Sequence, residues 1–213
     1  MKEIYLLSGL GADKRVFDFL KIVGFKLNFI EWVEPVKNET IENYSKRITH
    51  QIKTQKPILI GVSFGGIISV EIGKLIETEK IILISSASSR KRLPQYFKLI
   101  GFLSINKIIP IRLLKSVNQL TFWFFGAKKD SEKELLHTFI KGTNEKFLSW
   151  AIDKIVNWQN VYESDKIFTI HGAEDRLLPI NNPDYKIERG GHLMIIDRGE
   201  EISEIIMKLL TDK

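Results

Sequence analysis

Apolar residues along this chain alternate between short continuous runs and stripes at helical spacing. Four runs predict strands: EIYLLSG (3–9), KLNFIEW (26–32), PILIGVS (57–63) and KIILISSAS (80–88). PILIGVS is continuous in apolar character, as a strand covered on both faces should be. Two more follow later, KIFTIHG (166–172) and YKIERGG (185–191). The stripes predict a short helix that Asp13 caps and that carries Val16, Phe17 and Leu20. They also predict helices over 40–53, 65–76 and 200–210. This order predicts an α/β protein with a mostly parallel, doubly wound sheet of about six strands.

The alternation stops after the fourth run and resumes only after residue 157. The intervening segment contains helical stretches at about 94–103, 106–116, 131–141 and 145–157, the third with Ser131 and Glu134 as a capping box. We therefore predict that 1–89 and 158–213 form one core and that 90–157 is a helical insertion above the sheet. Ligands bind at the carboxyl ends of parallel strands, where several Gly- and Ser-containing loops of this chain are expected.

One of those loops contains GVSFG (61–65), a G-x-S-x-G motif between an apolar strand and a helix. In that setting the motif is typical of a nucleophile elbow, a strained turn that presents a serine. Gly61 and Gly65 would let the backbones pass, and Ser63 would stand at a helix N-terminus. A small residue filling a tight turn is the alternative.

A serine hydroxyl needs a base, and the chain has four histidines. His50 is expected on the surface of a helix, His137 in the insertion facing solvent, and His171 packed at the end of a strand. His192 follows Gly190-Gly191 at the carboxyl edge of the predicted sheet and is the predicted base. Asp175 is the predicted acceptor for its imidazole, with Glu174 as a fallback.

An oxyanion would need two N–H donors, for which we predict the backbone amides of Phe64 and Leu10. The order Ser63, Asp175, His192 is the order this architecture requires. The sequence contains no phosphate-binding P-loop, dinucleotide fingerprint or metal-ligand cluster, so we predict no cofactor and no metal.

Composition and charge indicate where the protein is located and which partners it binds. The chain has no cysteine, no signal-peptide pattern and no uncharged apolar run long enough to span a membrane, which favours a cytoplasmic protein. The net charge of +6 is uneven: residues 90–141 hold eleven Lys or Arg and three acids, and the remainder is −2. Basicity confined to one region is not typical of a nucleic-acid-binding domain, so no nucleic-acid partner is expected.

The four segments SGLG (8–11), GVSFGG (61–66), HGAEDRLLP (171–179) and GGH (190–192) together resemble the α/β-hydrolase superfamily. The resemblance covers nearly the whole chain and implies that 90–157 is a lid. Three departures from the family pattern are expected. The two leading antiparallel strands would be absent, Ser8 stands where many relatives have histidine, and the short connection from Asp175 to His192 would be a loop without the usual helix.

The insertion allows two interpretations. Its apolar residues either pack on the core with solvated cations, or form an apolar pocket under a cationic rim that favours anionic substrates or carriers. Phe64, Phe122, Trp123, Phe124 and Phe125 are candidates for lining such a pocket. The predicted function is a serine hydrolase acting on a small carboxylic ester or thioester. The alternatives are a ligand-binding or signalling protein with little turnover and a cofactor-free lyase-type enzyme on the same scaffold.

Overall fold

The computed structural model describes residues 2–211 and contains one six-stranded sheet. The strands are β1 (Glu3–Leu7), β2 (Lys26–Phe29), β3 (Ile58–Val62), β4 (Lys80–Ile84), β5 (Ile167–Gly172) and β6 (Tyr185–Ile187). Every neighbouring pair is parallel. The predicted fold class is confirmed, and each of the six apolar runs supplies one strand.

Nine α-helices are described within residues 2–211. They are α1 (Ile41–Ile48), α2 (Phe64–Gly73), α3 (Gln95–Phe102), α4 (Ile111–Leu114), α5 (Gln119–Phe125), α6 (Asp130–Gly142), α7 (Glu145–Val156), α8 (Met194–Asp197) and α9 (Gly199–Thr211). Short 3₁₀ turns occupy Lys14–Phe17, Thr49–Gln51, Arg90–Arg92 and Ile105–Lys107. No helix in this part of the chain is both long and apolar enough to cross a membrane.

The strand order across the sheet is β2-β1-β3-β4-β5-β6. β1 lies between β2 and β3, so the chain moves outward in one direction from β1 to β2 and in the other from β3 onward. The carboxyl ends of β1 and β3 therefore flank a switch point, the place where open α/β sheets form their crevice. The loops that begin at Ser8 and Ser63 leave the sheet at this point.

Successive residues of the central strands enter different cores. In β1, Ile4 and Leu6 join a cluster that includes Ile202 and Ile206 of α9, whereas Tyr5 and Leu7 join the cluster on the opposite face. That second cluster also contains residues of α1, α2 and α7. Burial on both faces explains why these strands are apolar at nearly every position.

The insertion is helical but differs from the prediction in three details. Pro110, which has no N–H and a fixed φ, separates a 3₁₀ turn from α4, so 106–116 is not one helix. The helix α5 was not predicted. The helix α6 begins at Asp130, and its capping carboxylate is Glu132, which accepts hydrogen bonds from the amides of Lys128 and Lys129. The predicted Ser131–Glu134 box is therefore wrong.

β4 ends at Ile84 and β5 begins at Ile167, with α3 to α7 between them. The division into a core of 1–89 and 158–213 and an insertion of 90–157 stays a prediction. Met1 and residues 212–213, at the outer ends of the predicted core segments, lie outside the described residues.

Candidate active site

Ser63 occupies a strained turn between β3 and α2. Its φ of 51° and ψ of −118° lie in a region that residues with a side chain rarely adopt. The Ser86 hydroxyl donates a hydrogen bond to the Ser63 carbonyl (2.6 Å), and the Ser63 amide donates to the Ile84 carbonyl (2.9 Å). These bonds from the end of β4 hold the strained residue in place.

Two positions of the motif require glycine because neighbouring backbone atoms lie too close for a Cβ. A Cβ on Gly61 would lie 2.5 Å from the Gly65 carbonyl oxygen, and a Cβ on Gly65 would lie 2.2 Å from the carbonyl oxygen of Leu7. Neither neighbour is a flexible side chain that could move aside. The turn therefore has the tight packing that a nucleophile elbow requires.

Three predicted site residues meet in one hydrogen-bonded series. His192 Nε2 lies 3.0 Å from Ser63 Oγ, and His192 Nδ1 lies 2.8 Å from Asp175 Oδ2. Because a carboxylate only accepts, Nδ1 carries a proton and donates it, which leaves the Nε2 lone pair facing the Ser63 hydroxyl. Asp175 and His192 are both buried. The loop after β5 carries Asp175 and the loop after β6 carries His192, and together they bring His192 within hydrogen-bond distance of Ser63.

Four hydrogen-bond donors surround the Asp175 carboxylate. Oδ1 accepts from the amides of Leu177 (3.0 Å) and Leu178 (2.8 Å), and Oδ2 accepts from His192 and lies 3.1 Å from His171 Nε2. Burial alone would raise the pKa of Asp175, but the charge and hydrogen bonds of the two histidines outweigh it and hold this pKa well below its usual range. The carboxylate is therefore ionised at neutral pH.

His171 is a site neighbour that sequence reasoning missed. The sequence predicts a locally packed residue, but the Nε2 of His171 contacts both the Leu178 carbonyl (2.8 Å) and Asp175. Both neighbours accept, so Nε2 carries a proton and donates it. The position of His171 at the end of β5, four residues before Asp175, was the available signal.

The loop after β1 lies directly against the elbow. A Cβ on Gly9 would contact Ser63 Cβ at 3.4 Å, and Leu10 lines the cavity beside Ser63. Within residues 2–211 neither the Leu10 amide nor the Phe64 amide donates to a protein acceptor. Ser8 Oγ donates to the Ala12 carbonyl (2.6 Å) and accepts from the Trp32 indole (2.9 Å), which fixes the loop.

A cavity of about 490 Å³, here called the Ser63 cavity, opens at the serine. Ser63, His192, Leu10 and Phe64 form one end. The rest of the wall is mostly apolar, with the hydroxyl residues Ser116, Thr121 and Thr143 among it. It comes largely from the insertion, including Phe97, Leu113, Leu114, Phe124, Phe125, Ile140, Leu148, Ile152 and Ile155. No Lys, Arg, Asp or Glu of the described chain lines it. Of the five aromatic candidates, Phe64, Phe124 and Phe125 line this cavity.

The insertion contacts both loops of the site. The Phe125 ring packs edge-on against the His192 ring with centroids 5.5 Å apart, and the Leu193 amide donates to the Phe125 carbonyl (3.1 Å). On the other side, a Cβ on Gly11 would collide with Thr143 Oγ1 at 2.3 Å. The ends of α5 and α6 thus hold the histidine loop and the loop after β1.

The remaining candidates lie away from Ser63. Glu174 forms an ion pair with Lys128 (3.3 Å), while His50 and His137 are exposed, as predicted. A wider groove of about 830 Å³ between residues 34–38 and α7 has neither Ser63 nor His192 in its wall and carries mixed charges, Glu34 and Lys146 among them. The constellation around Ser63 is therefore the candidate active site.

No family model matches this sequence, and no curated protein matches it. Solved structures do match it along nearly its full length. A bromoperoxidase from Bacillus anthracis has a TM-score of 0.70 at 16% identity, over 99% of this chain and 92% of that one. An esterase from Exiguobacterium antarcticum has a TM-score of 0.70 at 14% identity, over 100% and 92%. An alpha/beta hydrolase family protein from Desulfitobacterium hafniense has a TM-score of 0.64 at 16% identity, over 99% and 96%. The six parallel strands, the helices on both faces and these similarities establish that the chain has the α/β-hydrolase fold.

Proposed function

We propose that this protein is a serine hydrolase that cleaves carboxylic esters or thioesters of uncharged, apolar acids through an acyl-enzyme intermediate. The observation that carries the proposal is the hydrogen-bonded series Ser63–His192–Asp175, with 3.0 and 2.8 Å between the paired atoms, at the end of an apolar cavity. A nucleophile within reach of a base, and a base oriented by a third group, is the arrangement of covalent acyl transfer.

In the first half-reaction the Ser63 Oγ attacks the carbonyl carbon of the substrate. The hydroxyl proton passes to His192 Nε2, and the carbonyl π electrons move onto oxygen. The bond from carbon to the leaving oxygen or sulfur then breaks, and His192 returns the proton to that atom. Asp175 accepts from Nδ1 throughout and stabilises the imidazolium that forms.

In the second half-reaction a water replaces the alcohol or thiol. His192 takes a proton from the water as the oxygen attacks the acyl carbon, and it returns a proton to Ser63 Oγ when the ester bond to the enzyme breaks. The amides of Leu10 and Phe64 are the proposed donors to the oxyanion in both halves. Their free N–H groups at the loop after β1 and at the start of α2 support this role.

The wall of the Ser63 cavity supports the choice of substrate class. An acyl chain that enters it meets mostly aliphatic and aromatic side chains and no Lys, Arg, Asp or Glu of residues 2–211, which favours a neutral acid. In this proposal residues 90–157 act as a lid, since they supply most of that wall. The expected cationic rim for anionic carriers is not part of the cavity itself and stays a prediction.

The fold alone does not choose the chemistry, because an esterase and a bromoperoxidase share it. The deciding experiment is active-site labelling with a fluorophosphonate probe, combined with hydrolysis of a panel of aryl esters and acyl thioesters. Wild-type protein is expected to be labelled and to hydrolyse the panel, and Ser63→Ala is expected to do neither.

A matched control is Ser116→Ala, since Ser116 also lines the cavity but has no histidine partner. Labelling and turnover should survive that change. Equal labelling of wild type and Ser63→Ala would refute the proposal, and activity that persists in Ser63→Ala would favour a lyase-type or other non-hydrolytic enzyme.

A further inference from the structure

The insertion exposes apolar side chains far more densely than the rest of the molecule. Nine of the fifteen exposed large apolar side chains of residues 2–211 fall between positions 96 and 124, roughly one-seventh of the described chain. In α3 and the residue after it, Tyr96, Leu99 and Leu103 are exposed at positions i, i+3 and i+7. In α5, Leu120, Trp123 and Phe124 are exposed at i, i+3 and i+4. Each spacing puts the three side chains on one face of its helix.

These two stripes, here called the α3–α5 surface, lie beside the same loop, since the Tyr96 hydroxyl donates to the Leu177 carbonyl and Arg176 donates to the Trp123 carbonyl. They depart from the usual pattern of a surface helix. Such a helix normally turns its apolar stripe toward the core and its polar face outward. Contiguous exposed apolar groups mark a surface that binds something apolar. Trp, Phe and Leu in particular are the residues with which interfacial helices enter the boundary of a bilayer.

The charged residues of the same segment are all basic. Residues 90–129 contain nine Lys or Arg and no Asp or Glu. Two of the three arginines donate to backbone carbonyls, Arg90 to Trp158 and Arg92 to Asn181, so these contacts leave their charge uncompensated. Lys91 and Lys128 form exposed pairs with Glu163 and Glu174, and Lys129 lies 3.9 Å from Glu132, so all three acids come from outside residues 90–129. A second copy of this chain would bring like charges together, whereas an anionic surface would be attracted.

The apolar surface continues into the Ser63 cavity. Leu113 and Phe124 line that cavity and are also exposed, at 63% and 37%. An apolar molecule that leaves a bilayer beneath the α3–α5 surface would therefore meet Phe124, which belongs both to that surface and to the wall of the Ser63 cavity.

We propose that the α3–α5 surface docks on a bilayer that contains anionic lipids. The apolar stripes enter the headgroup boundary and the basic residues around them contact lipid phosphates. Polybasic segments bind such membranes through the surface potential, and the attraction weakens as salt screens it. This inference concerns binding and is independent of the proposed hydrolysis, so either can fail without the other.

The first test is co-sedimentation of the full-length protein with vesicles. One set contains equal parts of phosphatidylglycerol and phosphatidylcholine, and the other contains phosphatidylcholine alone. The protein is expected to sediment with the anionic vesicles and less with the neutral ones, and its binding to the anionic vesicles should fall as salt rises. The double variant Leu99→Ser/Leu120→Ser should bind weaker by roughly tenfold for each leucine that enters the bilayer.

The matched control is Val23→Ser/Val161→Ser, which removes two equally exposed apolar side chains elsewhere on the surface. It should bind like wild type. Neither leucine of the test pair lines the Ser63 cavity, so the double variant should keep wild-type thermal stability and wild-type turnover of a water-soluble ester.

The second test reverses the charge of two basic residues of the insertion, and its control makes the same change in total charge elsewhere on the molecule. Lys107→Glu/Arg112→Glu should reduce binding to anionic vesicles by on the order of tenfold or more, while Lys37→Glu/Lys208→Glu, with the same change in total charge, should reduce it far less. Equal binding to neutral and anionic vesicles, or equal losses in each test and control pair, would overturn the proposal. Binding to a soluble acidic acyl carrier protein without binding to vesicles would overturn it as well, since the surface would then recognise a protein.

Discussion

The absence of charge in the wall of the Ser63 cavity predicts how rate should depend on the acyl group of the substrate. The cavity volume of about 490 Å³ equals the share of liquid volume of about sixteen water molecules, at about 30 Å³ each. An acetyl group leaves most of this space empty, so a longer chain can bury several methylene groups.

Each methylene that leaves water is worth about 0.8 kcal/mol, or roughly fourfold in kcat/KM when the transition state retains the contact. From acetate to hexanoate, four methylenes give an upper limit of roughly 250-fold. A carboxylate at the far end of a chain of the same length would be buried without a partner, at a cost of several kcal/mol, which predicts a loss of more than about 100-fold.

The assay compares kcat/KM for p-nitrophenyl acetate, butanoate and hexanoate, and for the half ester of adipic acid, which has the length of hexanoate with a terminal carboxylate. Ser63→Ala provides the background rate for each compound. A flat profile from acetate to hexanoate, or a preference for the adipate half ester, would refute the reasoning and would indicate a cation in reach of the acyl chain.

Two further predictions concern the carboxylate behind the base. His171→Leu removes one donor to Asp175 and should lower both the free energy of unfolding, by about 1.5–3 kcal/mol, and kcat/KM. His171→Gln, whose amide can still donate, should recover both quantities. Equal behaviour of the two variants in urea unfolding and ester hydrolysis would contradict a positioning role. The lowered pKa of Asp175 stabilises the folded protein above the unfolded-state value of about 3.9, and this contribution is lost as pH falls through the lower folded pKa. Urea unfolding between pH 7 and pH 3 should therefore show the stability advantage of wild type over Asp175→Asn shrinking only in the acid range, and parallel curves for the two proteins would contradict this.

The sequence by itself determined the strands and the elbow. Strands buried on both faces have to be apolar at nearly every position, so runs such as PILIGVS identify β3 from composition alone. The glycines of the elbow could be predicted because a tight turn leaves no room for a Cβ, and the close approaches at Gly61 and Gly65 follow from that requirement. Both features depend on local chemistry, which is written in consecutive residues.

Helix α5 shows what local sequence pattern fails to predict. Its residues QLTFWFF are apolar on nearly all sides, so they form no stripe that periodicity would detect. The signals were at its ends, where Asn118 caps the first turn and Gly126 ends the helix with a φ of 74°. The contact of Phe125 in this helix with His192 could not be predicted from these capping residues.

The tertiary structure alone decided which loops meet. Ser63 and His192 are 129 residues apart, and only the strand order β2-β1-β3-β4-β5-β6 brings their loops to one edge of the sheet. The same packing gives Asp175 its second histidine and gives the Ser63 cavity its uncharged wall. Residue pattern predicts what each element is because periodicity is local, but a site assembled from several loops depends on distances between elements that no local pattern records.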